Sequence, residues 1–224
     1  MITRFSPSLN GSLHIGHLWM AWVNYAWAHQ VGGRFILRYD DLAPGLAGDD
    51  TTRQVEWAAE GEELLRAAGV VPDCVSYVSK YQVPDLPLRI ESRNTWLRQP
   101  ALEGWKDVAC SPALVAARVR ADIEEGVDVV IRGEELAPEL QLYEYLNQHL
   151  GGSPRHLVYL PRLRVRVKGQ LTTISKTYGN LQLRDIYSNY EPAYWLERVR
   201  EVGLISPDKP VSLDNIYPDP VLVL

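Results

Sequence analysis

The sequence is poor in cysteine, has no excess of basic residues and contains no long apolar run. Its two cysteines, Cys74 and Cys110, are isolated, with no Cys-x-x-Cys pair and no His/Cys cluster near them. This spacing excludes the familiar zinc patterns and favours a reducing compartment. The formal net charge is -5, whereas nucleic-acid binders usually carry a basic excess because phosphate contacts dominate their affinity. Any contact with RNA would therefore have to come from a local basic patch.

The most apolar run, Leu18 to Ala28, is too short to span a bilayer and is interrupted by Asn24. It indicates instead a helix packed against a sheet. We therefore expect no membrane association, no targeting segment and a cytoplasmic protein. The 224 residues, 46% hydrophobic and 23% charged, are typical of a globular chain with one substantial core, or one domain with a small appendage.

The most informative stretch is residues 4–17, which is read as a short strand, a tight turn and the first turn of a helix. Ser12 is the expected N-cap, and Gly16 removes a side chain where another group needs to approach the backbone. His14 and His17 are three residues apart and so share one helix face. Two imidazoles at the positive end of a helix suit a polyphosphate. The alternative interpretation is a polar surface turn with two solvated histidines.

Charged residues also follow two other predicted strands. Arg34 to Tyr39 ends in Asp40-Asp41, and the β-branched run Val127 to Ile131 ends in a charged group, residues 132–135. Ligands of parallel α/β sheets bind at the carboxyl ends of the strands, so these groups are candidates for substrate contacts. Each could equally be a turn on the protein surface.

Alternating strand and helix patterns predict a doubly wound parallel α/β sheet, interrupted once and followed by a small C-terminal helical region. We divide it into residues 1–69, the first half of a nucleotide-binding fold; 70–104, a reduced connecting segment; 105–173, the second half; and 174–224, a loop and helical segment. The basic hairpin expected over residues 163–172 is either an RNA- or phosphate-facing patch or simply solvated.

The tetrapeptide His14-Ile15-Gly16-His17 resembles the phosphate-binding signature of class I aminoacyl-tRNA synthetases. The preceding Arg4-Phe5-x-Pro7-Ser8-x-x-Gly11 and the following residues 32–38 resemble the glutamyl/glutaminyl-tRNA synthetase subgroup. Residues 174–180 resemble the second class I signature, the Lys-Met-Ser-Lys-Ser loop, with Thr173 in place of its first lysine. The resemblance implies the Rossmann-like fold of class I synthetases.

The resemblance also implies the reaction, which is ATP-dependent activation of glutamate or a glutamate-like amino acid to an aminoacyl-adenylate. ATP and Mg²⁺ would be the cofactors, with no dedicated metal site in the sequence. The roles carried over by position are catalytic for His14, His17 and Lys176; ATP-binding for Gly16, Ser175, Thr177, Gly133 and Glu134; and amino-acid-binding for Arg4, Ser6, Ser8, Asp40, Leu114, Arg118 and Arg132. Asp40 would hold the α-amino group and Arg4 a side-chain carboxylate.

Two of these positions depart from the subgroup. Leu114 stands where a tyrosine is usual, and Arg118 stands where a small or amide side chain is common. The connecting segment is too short for an acceptor-stem domain, and we expect no anticodon-binding domain.

Three interpretations follow. The first is a minimal synthetase similar to glutamyl-Q tRNA synthetase-like proteins, which transfers the amino acid to tRNA. The second is an adenylate-forming ligase with a small-molecule amine or a carrier protein as acceptor. The third is a catalytically silent regulatory module, which retention of both histidines, Gly16 and Lys176 argues against.

Overall fold

The computed structural model describes residues 1–42, 51–81, 112–161, 163–167, 170–173 and 221–223, with residues 51, 165–167, 170–173 and 221–223 described by backbone alone. The elements are β1 (Ile2–Phe5), α1 (Ile15–Gln30), β2 (Arg34–Tyr39), α2 (Thr51–Ala67), β3 (Cys74–Tyr77), α3 (Pro112–Glu124), β4 (Val129–Gly133), α4 (Leu140–His149), β5 (His156–Leu160), β6 (Arg164–Val167), β7 (Gln170–Thr173) and β8 (Val221–Val223).

Strands β1 to β5 form one parallel sheet in the order β3-β2-β1-β4-β5. In the central strand, Thr3 lies opposite Phe35 of β2 on one side and opposite Val129 of β4 on the other. The chain builds the sheet outward from β1 in one direction and then, from β4, in the other direction. This reversal places a crevice between the carboxyl ends of β1 and β4, where doubly wound sheets bind ligands. The predicted fold class is confirmed.

Helices cover both faces of this sheet. Val129 and Ile131 of β4 belong to the apolar cluster packed by α1 and α2, while Val130 belongs to the cluster packed by α3 and α4. Successive strand side chains point to opposite faces, so the two clusters lie on opposite sides of the sheet. Trp19 of α1 is 1% exposed, as the apolar run predicts. No helix within the described ranges has the length and apolarity needed to cross a membrane.

Several local predictions need correction. Strand β3 lies in the connecting segment, residues 70–104, where the sequence pattern predicts no strand. Strand β8 pairs in parallel with β6, although the sequence pattern predicts no strand in the C-terminal tail. The sequence pattern predicts a helix from Pro138 to Leu150, but Pro138 lies inside a 3₁₀ helix, Glu134–Glu139, which precedes α4. The hairpin of β6 and β7 is present as predicted. The sequence pattern also predicts a short helix near residues 90–97, a strand at 106–110 and two helices within 183–202, and all of these lie outside the described residues.

Candidate active site

A cavity of about 240 Å³ opens at the carboxyl ends of β1 and β4. Side chains from β1, β2, α1, α3, β4, the 3₁₀ helix and α4 all reach it. It is lined by Arg4, Phe5, Ser6, Pro7, Ser8, His17, Met20, Arg38, Val115, Arg118, Ile131, Arg132, Gly133, Glu135, Leu136, Glu139 and Tyr143. Four of these residues are arginines, so the cavity walls are rich in hydrogen-bond donors.

His14 and His17 form the N-terminal cap of α1. The Nδ1 atom of His14 accepts the backbone N–H of Gly16 at 3.1 Å, and the Nδ1 atom of His17 accepts the backbone N–H of His14 at 3.1 Å. The two rings stack with their centroids 3.8 Å apart. A ring nitrogen that accepts a hydrogen bond carries no proton, so each neutral imidazole has its proton on Nε2. The cap therefore makes each histidine a donor through Nε2, and the His17 ring lines the cavity.

The sequence pattern predicted Ser12 as the N-cap of α1, but the N-cap is His14. The hydroxyl of Ser12 donates instead to Glu60 of α2 at 2.9 Å. The close approach to the backbone that the sequence predicts at Gly16 is present. A Cβ at residue 16 would lie 3.1 Å from both Cε1 and Nδ1 of His14. The group that approaches the backbone at Gly16 is thus the His14 ring itself.

Below the cavity, two arginines share one buried carboxylate. Asp122 of α3, which has no exposed surface, accepts from Arg38 Nη2 at 2.5 Å and from Arg4 Nε at 3.1 Å. The hydroxyl of Tyr143 donates to the other Asp122 oxygen at 2.7 Å. Burial alone would raise the pKa of Asp122, but the charges of Arg38 and Arg4 outweigh it and hold that pKa well below its ordinary value. Burial, and then the charge of Asp122, raise the pKa of Tyr143.

The same network continues toward the edge of the sheet through Glu125. Arg38 Nη1 donates to Glu125 Oε2 at 2.9 Å, and the other Glu125 oxygen accepts from Ser76 Oγ at 2.5 Å and from the Tyr81 hydroxyl at 2.7 Å. Burial, and then the hydrogen bond to Glu125, raise the pKa of Tyr81. These contacts fix β3 and the residues after it to α3 through polar groups.

Asp40 and Arg118 form a second ion pair beside the cavity. Arg118 donates to Asp40 Oδ2 through Nη2 at 2.5 Å and Nε at 2.9 Å. Asp40 has no exposed surface and does not line the cavity, whereas Arg118 does. The neighbouring Asp41 accepts from Ser79 and fastens the turn after β3. The carboxylate expected to receive an ammonium group is therefore covered by an arginine of the protein.

Arg132 lies at the end of β4, between two aromatic rings. Its guanidinium lies 5.2 Å from the ring centroids of both Tyr143 and Tyr159, and its Nη2 donates to the Tyr159 hydroxyl at 2.9 Å. Its Nη1 contacts Glu139 at 3.4 Å. Stacking between aromatic rings fixes the plane of the guanidinium. Arg132 Nε and Ser6 Oγ are buried and have no hydrogen-bond partner among the described residues.

The sequence-based site residues separate into three groups. Those that line the cavity are Arg4, Ser6, Ser8, His17, Arg118, Arg132 and Gly133, while His14, Gly16, Asp40, Leu114 and Glu134 lie outside its lining. Ser175, Lys176 and Thr177 fall outside the described residues. After Gly133, Glu135 lines the cavity and Glu134 does not. The Glu135 carboxylate occupies the space that a Cβ on Gly133 would need.

Arg38, Asp122, Glu139 and Tyr143 were not singled out from the sequence. Asp122 could have been recognised from the sequence, because it continues the buried stripe of Val115 and Val119 on α3 at helical spacing. A carboxylate on an apolar stripe is rarely buried without a cationic partner.

Comparison with known proteins gives matches that agree with this architecture. Residues 1–81 match the family described as the catalytic domain of class I tRNA synthetases (E and Q). Glutamate–tRNA ligase 2 of Cereibacter sphaeroides (strain ATCC 17029 / ATH 2.4.9) is 27% identical, over 92% of this chain and 62% of that protein. The glutamyl-Q tRNA(Asp) synthetase of Rhodobacter capsulatus is 29% identical, over 76% of this chain and 54% of that protein.

Among solved structures, the glutamate–tRNA synthetase of Elizabethkingia anophelis has a TM-score of 0.63 at 19% identity, covering 97% of this chain and 65% of that one. At this identity the likeness concerns the fold. The chain thus spans less than two thirds of the length of these relatives.

Proposed function

We propose that this chain, a homologue of the class I glutamate–tRNA ligases, uses ATP to activate the carboxylate of a glutamate-like acid, forming an acyl-adenylate and releasing pyrophosphate. The observation that carries the proposal is the stacked pair of His14 and His17, held as Nε2 donors at the start of α1 beside the β1–β4 crevice. Helix N-termini with converging donors are suited to phosphate groups.

In the proposed step, a carboxylate oxygen of the acid forms a bond to the α-phosphorus of ATP. The bond from that phosphorus to the bridging oxygen breaks, and pyrophosphate leaves with the electron pair. The protein contributes position and fixed donors rather than covalent chemistry. His14 and His17 would donate to the phosphates, while Ser6, Arg132 and the neighbouring arginines would hold the acid.

The remaining phosphate contacts belong to the proposal alone. We assign Lys176 to the departing phosphates, and Ser175, Thr177, Gly133 and Glu134 to ATP. Mg²⁺ prefers oxygen ligands, and the described residues bring no three acidic, His or Cys side chains together. In this proposal, Mg²⁺ therefore binds to the oxygens of the ATP phosphates.

For the second step we propose tRNA as the acceptor, because the relatives from Cereibacter and Rhodobacter are by name a tRNA ligase and a tRNA synthetase. One observation favours a different acceptor, a small-molecule amine or a carrier protein. The chain carries a net charge of -5, while binding to a polyanion gains from basic surface. Incubation of the enzyme with labelled acid, ATP and total tRNA, followed by isolation of the labelled product, separates the two acceptors.

The first step is tested by acid-dependent exchange of pyrophosphate into ATP, measured over a panel of acids without tRNA. We expect exchange with at least one acid, and a loss of about 10²–10³-fold in rate for His17→Ala and for Lys176→Ala. The matched control is His149→Ala, which changes an exposed histidine at the far end of α4 and should retain the rate. Equal rates in all three variants would contradict the proposal.

A further inference from the structure

Three of the four arginines that line the cavity pair with carboxylates that do not line it. Arg4, Arg38, Arg118 and Arg132 line it, whereas Asp122 and Asp40, which neutralise three of these four arginines, do not. Both carboxylates are fully buried. The cavity lining thus holds four guanidinium groups against the two carboxylates of Glu135 and Glu139, and this excess of positive charge suits an anion better than a cation.

Arg118 closes the route to Asp40. Two of its nitrogens donate to the same Asp40 oxygen, and the other Asp40 oxygen accepts the backbone N–H of Leu42 at 3.3 Å. The Arg118 side chain is 20% exposed and lies on the cavity side of the pair. An ammonium group could reach Asp40 only by displacing a guanidinium that already makes charge-assisted hydrogen bonds there.

The other carboxylates of the cavity give little more room for a cation. Glu139 lies 3.4 Å from Arg132 and 3.7 Å from Arg118, so it is shared by two arginines. Glu135 also lines the cavity, and its carboxylate lies over Gly133 at the carboxyl end of β4. Of the carboxylates that line the cavity, Glu135 is thus the competitor that a test must examine.

We propose that Arg118 determines specificity by filling the place of an ammonium group, so that the preferred substrate is a carboxylic acid with no ammonium beside its reacting carboxylate. The inference rests on the proposed function, because it concerns the acid that is activated. It adds a substrate class, namely dicarboxylic acids whose adjacent carbon bears a hydrogen, hydroxyl or oxo group. Arg132 Nε and Ser6 Oγ are buried beside the cavity without a hydrogen-bond partner among the described residues, and in this proposal they turn toward the carboxylates of such an acid.

The test compares glutarate with glutamate, which differ only in the α-ammonium group. Binding is measured by titration calorimetry without ATP, and activation by pyrophosphate exchange, for the parent chain and for Arg118→Gln. The parent should prefer glutarate, and Arg118→Gln, which uncovers Asp40, should shift the preference toward glutamate by about 100-fold, since like-charge juxtaposition costs several kcal/mol. A parent that prefers glutamate, with a ratio unchanged by Arg118→Gln, overturns the inference.

Two controls assign the result to Arg118. Arg120→Gln removes a partly exposed arginine of the same helix, which pairs with Glu124 and does not line the cavity, and should leave the glutarate/glutamate ratio unchanged. Glu135→Gln should also leave it unchanged, and abolition of glutamate binding in that variant would place the ammonium at Glu135 and refute the inference.

Calorimetry also separates the inference from the proposed function. If no acid supports exchange but Arg118→Gln gains glutamate binding, the inference holds and the activation step fails. If neither protein binds either acid, the inference fails.

Discussion

Nη2 of Arg38 lies 2.5 Å from Oδ1 of Asp122, and neither side chain has any exposed surface. The same carboxylate also receives Arg4 and Tyr143. Asp122 therefore joins β1, β2, α3 and α4 at the base of the cavity through one charged group. Arg4, expected from the sequence to pair with a substrate carboxylate, meets a carboxylate of the protein.

The first prediction concerns the stability supplied by this carboxylate. Asp122→Asn removes the negative charge and leaves Arg38 and Arg4 buried without it, so the free energy of unfolding should fall by about 3–5 kcal/mol. The loss is measured by urea unfolding followed by the fluorescence of the chain's 7 tryptophans. Asp128→Asn is the control, since the Asp128 side chain is 53% exposed and contacts the N-terminal amine at 3.9 Å. That control should lose less than about 1 kcal/mol, and an equal loss in both variants would contradict a special role for Asp122.

The second prediction is a dependence of stability on acid pH. The pKa of Asp122 is lower in the folded protein than its ordinary value near 3.8, so the unfolded chain binds a proton more readily. The stabilisation by Asp122 is thus complete above that ordinary value and is lost as the pH falls below about 4. The slope of unfolding free energy against pH near pH 3 should exceed that of Asp122→Asn by up to about 1.4 kcal/mol per unit. Parallel slopes in urea titrations between pH 5 and 3 would exclude this linkage.

The sheet could be predicted from the sequence because its strands are dense in apolar residues and are separated by clear helical patterns. Strand β3 could not, since Cys74–Tyr77 is short, lies among prolines, and is held by pairing with β2 and by the Ser76–Glu125 contact. Strand β8 depends likewise on a partner far away in sequence. Non-local pairing of short strands leaves almost no periodic signal.

The candidate site also combines features that the local sequence indicates with features that depend on contacts between distant residues. The motif at residues 4–17 and the charged group at 132–135 could be recognised because their residues are adjacent in the sequence and form a local pattern. The pairing of Arg118 with Asp40 joins residues 78 positions apart, and nothing in either local sequence specifies the other. Sequence reasoning therefore named some of the charges that reach the cavity, Arg4, Arg118 and Arg132, whereas the way charges neutralise each other is a property of the folded chain.

The third prediction separates the two roles of His14, which are to cap α1 and to present a donor. Asparagine is a good N-cap residue, so His14→Asn should keep an acceptor for the Gly16 N–H, while His14→Ala should lose about 1 kcal/mol of stability. Both variants lack the imidazole Nε2, and both should lose exchange activity by about 10²–10³-fold. Urea unfolding and pyrophosphate exchange measure the two effects. Full activity in His14→Asn would show that the ring serves the helix alone.

The fourth prediction concerns the close contact between Gly16 and the His14 ring. A Cβ on residue 16 would lie 3.1 Å from the ring, so Gly16→Ala should move the imidazole by a few tenths of an ångström and lower the exchange rate. In a helix, alanine is favoured over glycine by up to about 1 kcal/mol, and this gain should be offset by the crowding.

A double-mutant cycle with His14→Asn isolates that crowding. With the shorter asparagine at residue 14 the contact is relieved, so Gly16→Ala should be more stabilising in the His14→Asn background than in the parent chain. Urea unfolding of the four proteins gives the coupling free energy directly. A coupling free energy of zero would mean that the His14 ring moves aside at no cost in stability. Gly16 would then not be required to hold His14 in its stacked position on His17.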